Sequence, residues 1–220
     1  MNTARRLLLV AACVTTLSGC GSKKDPNKSN FSEAIKASLA KDADVCLTEP
    51  GQAWPVDVRD GDIAMSQAMG AGTPVQMEAL RTVGLVGEQS AVVSVKALFG
   101  PMIQQVGVHR YTLTEKGKSY IKNVKSSNLF DTSTALQPAI CVGKKTLHEV
   151  QKWDGPMRLG DYAEATVYYS FEVDDLPNWA KIPSLQKAFP VLQQIGSGSP
   201  VNTQAVLKLT SNGWEVKGLE

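Results

Sequence analysis

Apolar and polar residues alternate without a break from Tyr162 to Asp174. Ala163, Ala165, Val167, Tyr169, Phe171 and Val173 fall on one face, and Glu164, Thr166, Tyr168, Ser170, Glu172 and Asp174 on the other. A period of two over this length predicts a strand of an antiparallel sheet with one buried and one wetted face. Apolar runs at 205–210 and 214–219 flank Ser211-Asn212-Gly213. Asn and Gly tolerate positive φ, so this pattern predicts a hairpin. Upstream, 139–142 and 146–153 read as strand, with Gly143 allowing a bend and Asp154-Gly155-Pro156 forming a turn.

The pattern changes to helical spacing toward the N-terminus. Phe31, Ala34, Ile35, Leu39 and Ala40 share one face; Asn30 is placed to cap this helix and Glu33 stands where a capping box needs it. Trp54-Pro55-Val56-Asp57-Val58 is extended, and Asp62 can cap a short helix over 63–69 that ends at Gly70-Ala71-Gly72. Thr73-Pro74 reads as N-cap and first-turn proline of a further helix burying Val75, Met77, Leu80 and Val83. Two strands, at 91–98 and 106–113, follow around a loop containing Gly100-Pro101.

A connection at 176–200 separates the long strand from the last hairpin, too long to be structureless in a compact domain. It predicts a short helix at 184–188, bent or ended by Pro190, and carries Leu176, Trp179, Ile182, Leu185, Phe189, Leu192 and Ile195. Two readings stand. The segment covers the buried face of the sheet, or it exposes Trp179 and Phe189 as a partner-binding surface.

The order helix, short strand, helix, helix, strand, loop, strand, with the phrases Ala79-Leu80-Arg81-Thr82-Val83-Gly84-Leu85-Val86 and Tyr111-Thr112-Leu113-Thr114-Glu115-Lys116-Gly117, resembles a winged helix-turn-helix domain. With a polar junction at 126–134, the reading is an α+β chain. A winged-helix-like domain spans 30–125, and a small antiparallel-sheet domain with a helical insertion spans 126–220. Arg110, Lys116, Lys118, Lys122 and Lys125 make the wing basic. They form a solvated edge or a contact for an anionic envelope component.

The first twenty residues change what these elements are for. Arg5 and Arg6 precede an apolar run through Leu17 that is too short to be a permanent bilayer span. Leu17-Ser18-Gly19-Cys20 resembles the lipobox of bacterial lipoproteins. That resemblance implies a signal peptide at 1–19, cleavage before Cys20, and acylation of its thiol and new amino group. Residues 20–29 lack large apolar side chains and read as a disordered tether. Gly21, where aspartate would retain a Gram-negative lipoprotein in the inner membrane, implies the outer membrane facing the periplasm. The phrases Phe31-Ser32-Glu33-Ala34-Ile35, Asp44-Val45-Cys46-Leu47, Trp54-Pro55-Val56-Asp57-Val58 and Asn212-Gly213-Trp214 resemble uncharacterised lipoproteins of Gram-negative bacteria, a likeness that implies location and layout only.

Removing the leader lowers Lys plus Arg from 23 to 21, equal to the 21 Asp plus Glu. A neutral chain has no bulk field for nucleic acid, so no nucleic-acid partner is expected unless the lipobox is not used. Cys13 leaves with the leader and Cys20 carries lipid, so Cys46 and Cys141 meet an oxidising compartment as a disulfide or as two separately buried thiols. His109 and His148 are the only histidines, and neither sits in a ligand-spaced cluster, so no metal or other cofactor is expected. Asp174-Asp175 would point to opposite faces of a strand, and Gly196-Ser197-Gly198-Ser199 lacks the strand–turn–helix setting of a nucleophile. The chain therefore reads as a lipid-anchored binding or scaffolding protein whose partners are the membrane and an envelope protein or cell-wall component. A small-ligand or cell-wall-processing enzyme with a site near His148 and Tyr168 is the alternative.

Overall fold

The computed structural model describes residues 22–96, 103–125 and 136–218. The expected signal peptide, Cys20, the Gly100-Pro101 loop and the polar junction lie outside them. The first elements are α1 (Lys28–Lys41), β1 (Asp44–Cys46), β2 (Val56–Arg59), α2 (Asp60–Met69) and α3 (Thr73–Thr82). The strands β3 (Val86–Lys96) and β4 (Ile103–Leu113), the single turn α4 (Glu115–Lys118) and β5 (Ile121–Val124) come next. The chain continues through β6 (Gln137–Leu159), β7 (Tyr162–Asp174), α5 (Pro183–Ala188), α6 (Pro190–Ile195), β8 (Val201–Thr210) and β9 (Gly213–Val216). A short 3-10 turn, Asn178–Lys181, precedes α5.

The fold is mixed α+β with antiparallel sheets. The larger sheet has the order β1-β6-β7-β8-β9, with β5 also paired to β6, and the smaller has the order β2-β4-β3. β7 forms, and its alternation holds over its first half: Ala163, Ala165 and Val167 are buried, while Glu164 and Thr166 on the opposite face are not. Further on it fails, since Ser170 on the expected wetted face is buried and Tyr169, Phe171 and Val173 are only half-buried. The expected turn at Asp154-Gly155-Pro156 does not form. β6 runs on to Leu159, with its register against β7 shifting between Asp154 and Met157. Gly155 adopts φ 96°, which only glycine takes without strain, so a bulge absorbs the residues that spell a turn. Bulges and Pro156 also break the hydrogen-bonding edge that β6 presents past Lys144.

Two groups of buried side chains hold the molecule. In one, α1 covers the larger sheet: Phe31, Ala34 and Ile35 pack with Val150, Ala163, Ala165, Val167, Leu207 and Trp214. Phe31 stands edge-on to Trp153 and Trp214, at ring separations of 5.3 and 5.0 Å. In the other, Val56, Val58, Met77, Leu80, Leu85 and Tyr111 pack with Leu185, Phe189 and Leu192 and reach Ile140 and Val142 of β6. The insertion thus packs beside α3 in a core shared by residues of both sheets, whereas α1 covers a separate part of the larger one. Strands from both sides of residue 126 share the larger sheet, so the chain does not pack as two halves divided there.

The start of α1 also differs from expectation. Asn27, not Asn30, is the cap: its Oδ1 accepts the Asn30 amide at 2.9 Å. The Asn30 side chain instead donates to the carbonyls of Ser22 and Asp25, each at 2.9 Å. Trp214 Nε1 donates to the Lys24 carbonyl at 3.1 Å. Polar side chains satisfying local backbone groups hold Ser22 to Asn27 in place without any apolar residue, so this part of the expected tether is folded against the larger sheet.

Candidate functional site

A cleft of about 520 Å³ opens between α2, α3, the smaller sheet and α5. β4 is the central strand of that sheet and sets the geometry. Val58 of β2 and Ser90 of β3 lie opposite His109, and Glu88 lies opposite Tyr111. Tyr111 is buried at the floor, and Ile63, Val75 and Ala79 give the walls an apolar surface. Lys187 and Ser184 come from α5, which reaches the cleft because Leu185 and Ala188 pack into the core beside α3.

Two of the charged side chains lining the cleft, His109 and Glu78, are closed into pairs. His109 Nδ1 lies 2.5 Å from Glu88 Oε1, and its Nε2 lies 3.0 Å from Asp60 Oδ1, in the first turn of α2. The Glu88 hydrogen bond, helped by Asp60, raises the imidazole pKa against the opposing effect of desolvation. Each ring nitrogen of His109 therefore faces a carboxylate oxygen, which leaves no free ring nitrogen to accept a substrate proton. Arg81 donates to both oxygens of Glu78 at 2.8 and 2.7 Å, which holds that carboxylate below its ordinary pKa. Burial is the largest cause raising the Tyr111 pKa, with Glu88 and Glu78 adding to it, so the phenol stays neutral. The cleft offers an apolar floor and a rim of fixed charge.

The residues singled out in the sequence lie in several places. Cys46 and Cys141 are joined by a disulfide across β1 and β6, where they are direct register partners. Arg110 faces away from His109 on β4 and donates to both oxygens of its cross-strand partner Asp57, at 2.7 and 2.8 Å. Lys116 donates to the Val83 carbonyl at 2.7 Å, and Lys118 pairs with Glu115 at 2.6 Å. The basic edge is thus partly spent on internal contacts. Trp179 is half-buried, and its Nε1 donates to Tyr120 Oη at 3.1 Å. Phe189 is 2% exposed and belongs to the core, so it is not a docking residue. Its place beside Leu185 and Leu192 follows from the two short helices that meet at Pro190, which starts α6 rather than only ending α5.

His148 does not approach Tyr168 as a shared site. His148 Nδ1 lies 2.9 Å from Glu172, while Tyr168 donates to Asp154 at 3.0 Å and its ring lies under Lys152. Among the described residues no group of His, Cys, Asp and Glu is arranged to hold a metal ion. The cleft was not legible in the sequence because its residues come from four separated segments; Thr73-Pro74 and the helical spacing of Val75 predicted only one wall. Comparison with known families, curated proteins and solved structures gives no match.

Proposed function

We propose that the protein is a lipid-anchored binding module of the bacterial cell envelope, and that the cleft over Tyr111 receives its ligand. The observation carrying this reading is the pairing of His109 and Glu78 at the cleft. His109 and Glu78 are engaged by fixed partners, which suits recognition and leaves neither group free as a general base. The Leu17-Ser18-Gly19-Cys20 phrase supplies the anchor, and the Cys46–Cys141 disulfide fits an oxidising compartment. Gly21 favours the outer membrane, with the folded part in the periplasm. The ligand is a membrane-associated protein segment or a cell-wall component.

The winged-helix likeness of β2, α2, α3, β3 and β4 supports an architecture, not nucleic-acid binding. The strand order β2-β4-β3 with two helices after the first strand favours it. Against DNA reading, α3 buries Pro74, Met77, Ala79 and Leu80, and its outward Arg81 is occupied by Glu78.

Intact mass of the protein taken from bacterial membranes tests the anchor. A chain beginning at an acylated Cys20 that resists alkylation without reductant is expected; an unprocessed chain from Met1 with reactive cysteines counts against the whole reading. A photo-crosslinking residue at Val75 tests the cleft. It is expected to capture an envelope component in cells, while one at the exposed Met69 does not; equal capture from both positions removes the cleft as the site.

A further inference from the structure

One end of the larger sheet carries three exposed apolar side chains. Met157 is 72% exposed, Leu159 83% and Tyr162 45%. Leu159 and Tyr162 are register partners, and Met157 lies two residues before Leu159, so all three fall on one face beside the Gly160-Asp161 turn. That face is opposite the one α1 covers, since the neighbouring Ala163 is buried under α1. Nothing among the described residues covers it. A cluster of apolar residues left open at a hairpin tip marks a contact surface.

The path of the chain identifies the contact. Glu164 lies opposite Lys208, three residues from each of the two turns, so Gly160-Asp161 and Ser211-Asn212 are at the same end of the sheet. Lys23 is packed on that end: its carbonyl oxygen would lie 3.0 Å from a Cβ at Gly213. The Lys24 carbonyl is fixed by Trp214. From Lys23 back to Cys20 is three residues, a reach of about 10 Å even when fully extended. An acyl chain on Cys20 therefore holds this end of the sheet, and no other, against the bilayer. Exposed Lys23, Lys24 and Arg158 lie at the same end and suit anionic headgroups.

We infer that Met157, Leu159 and Tyr162 insert into the lipid surface and fix the orientation of the folded body on the membrane. This rests on the lipoprotein reading of Cys20. A tyrosine with its hydroxyl near Lys217 and Glu164 has the apolar body and polar tip of an interfacial residue. The core that backs the cleft includes Ile140 and Val142, at the far end of β6 from its Leu159 tip. The paired strand β7 has 13 residues, a length of about 40 Å. The sheet, not a loose tether, then holds the cleft off the bilayer and turns it toward the periplasm.

The test uses the full lipoprotein, with Leu159→Cys or Met69→Cys as its single free thiol, spin-labelled and reconstituted into vesicles of phosphatidylethanolamine and phosphatidylglycerol. Collisions with oxygen and with an aqueous nickel relaxant are read by electron paramagnetic resonance, and intact mass records the acyl chains. The expected result is an acylated protein whose label at 159 loses nickel collisions and keeps oxygen collisions, while the label at 69 stays open to nickel. An acylated protein with both labels equally open to nickel overturns the insertion and leaves the lipoprotein reading intact. Loss of both relaxants at 159 marks contact with protein, such as a second copy, and also overturns it. Absence of acyl chains overturns the inference together with the reading beneath it.

Discussion

The imidazole of His109 and the carboxylate of Glu88 meet diagonally across β4 and β3, since Ser90 is the residue opposite His109 and Tyr111 the one opposite Glu88. The other ring nitrogen takes Asp60, so one side chain on β4 ties α2 to β3. These partners exist only in the folded chain, and they raise the His109 pKa above 6.5. A group whose folded pKa is raised stabilises fully below its unfolded value and loses that contribution as pH rises through its folded value. Wild type is therefore expected to be more thermostable than His109→Gln near about pH 6, with the gap closing toward about pH 8 and above. Melting temperatures across that range check this. A gap independent of pH would mean that the side chain acts by packing alone.

The Cys46–Cys141 disulfide closes a loop with a sequence separation of 95 residues. By chain entropy a loop of that size is worth about 4–5 kcal/mol. It also pins β1, from the N-terminal part of the chain, to β6 of the C-terminal part. The Cys46→Ala/Cys141→Ala double variant is expected to lose about that much stability. For a chain of this size that is a fall in melting temperature of roughly 8–20 °C. Urea unfolding with and without reductant should give the same loss in wild type and none in the variant.

Most elements were legible because their signals are local. The alternation over β7 needs no tertiary information, and Ser211-Asn212-Gly213 marks the last hairpin, although its turn is Ser211-Asn212 and of the Asn-Gly pair only Gly213, at the start of β9, takes a positive φ. What the sequence could not give is which surface covers which. Phe31, Ala34 and Ile35 announce a buried helical face, yet only the folded molecule shows that Trp153 and Trp214, more than a hundred residues away, receive it. The cleft failed to appear for the same reason: Asp60, Glu88 and His109 are unremarkable singly and become a unit only through the register of β2, β4 and β3. At Asp154-Gly155-Pro156 turn-forming residues served a bulge, because pairing with β7 on both sides outweighed their local preference.

Phe31 joins α1 to the larger sheet, is fully buried, and fills the space between two indoles. Phe31→Ala leaves a cavity there and is expected to cost about 3–5 kcal/mol. Its loss should also flatten the near-ultraviolet circular dichroism of Trp153 and Trp214 before unfolding. Met69→Ala on α2 removes a side chain that is 74% exposed and is expected to change stability by less than about 0.5 kcal/mol. Similar costs for the two variants, measured by urea unfolding, would show that α1 does not anchor the sheet as described.

Gly117 is set by crowding rather than by its own backbone. A Cβ there would lie 2.0 Å from the Leu85 carbonyl oxygen, too close for any side chain. The approach is tight because three bonds draw α4 onto the end of α3. Thr114 donates its amide to Leu85 at 3.0 Å and its hydroxyl to Gly84 at 2.7 Å, and Lys116 reaches Val83. Gly117→Ala must push these segments apart, at an expected cost of about 1–3 kcal/mol. Gly61 is the control, because it lies inside α2 with nothing within 4 Å of an added Cβ. There the alanine fills open space and lowers the entropy of the unfolded chain, so Gly61→Ala is expected to stabilise by up to about 1 kcal/mol. Equilibrium urea unfolding of the two variants should therefore give shifts of opposite sign. If both glycines tolerate alanine equally, the close approach of α4 to Leu85 does not exist in solution.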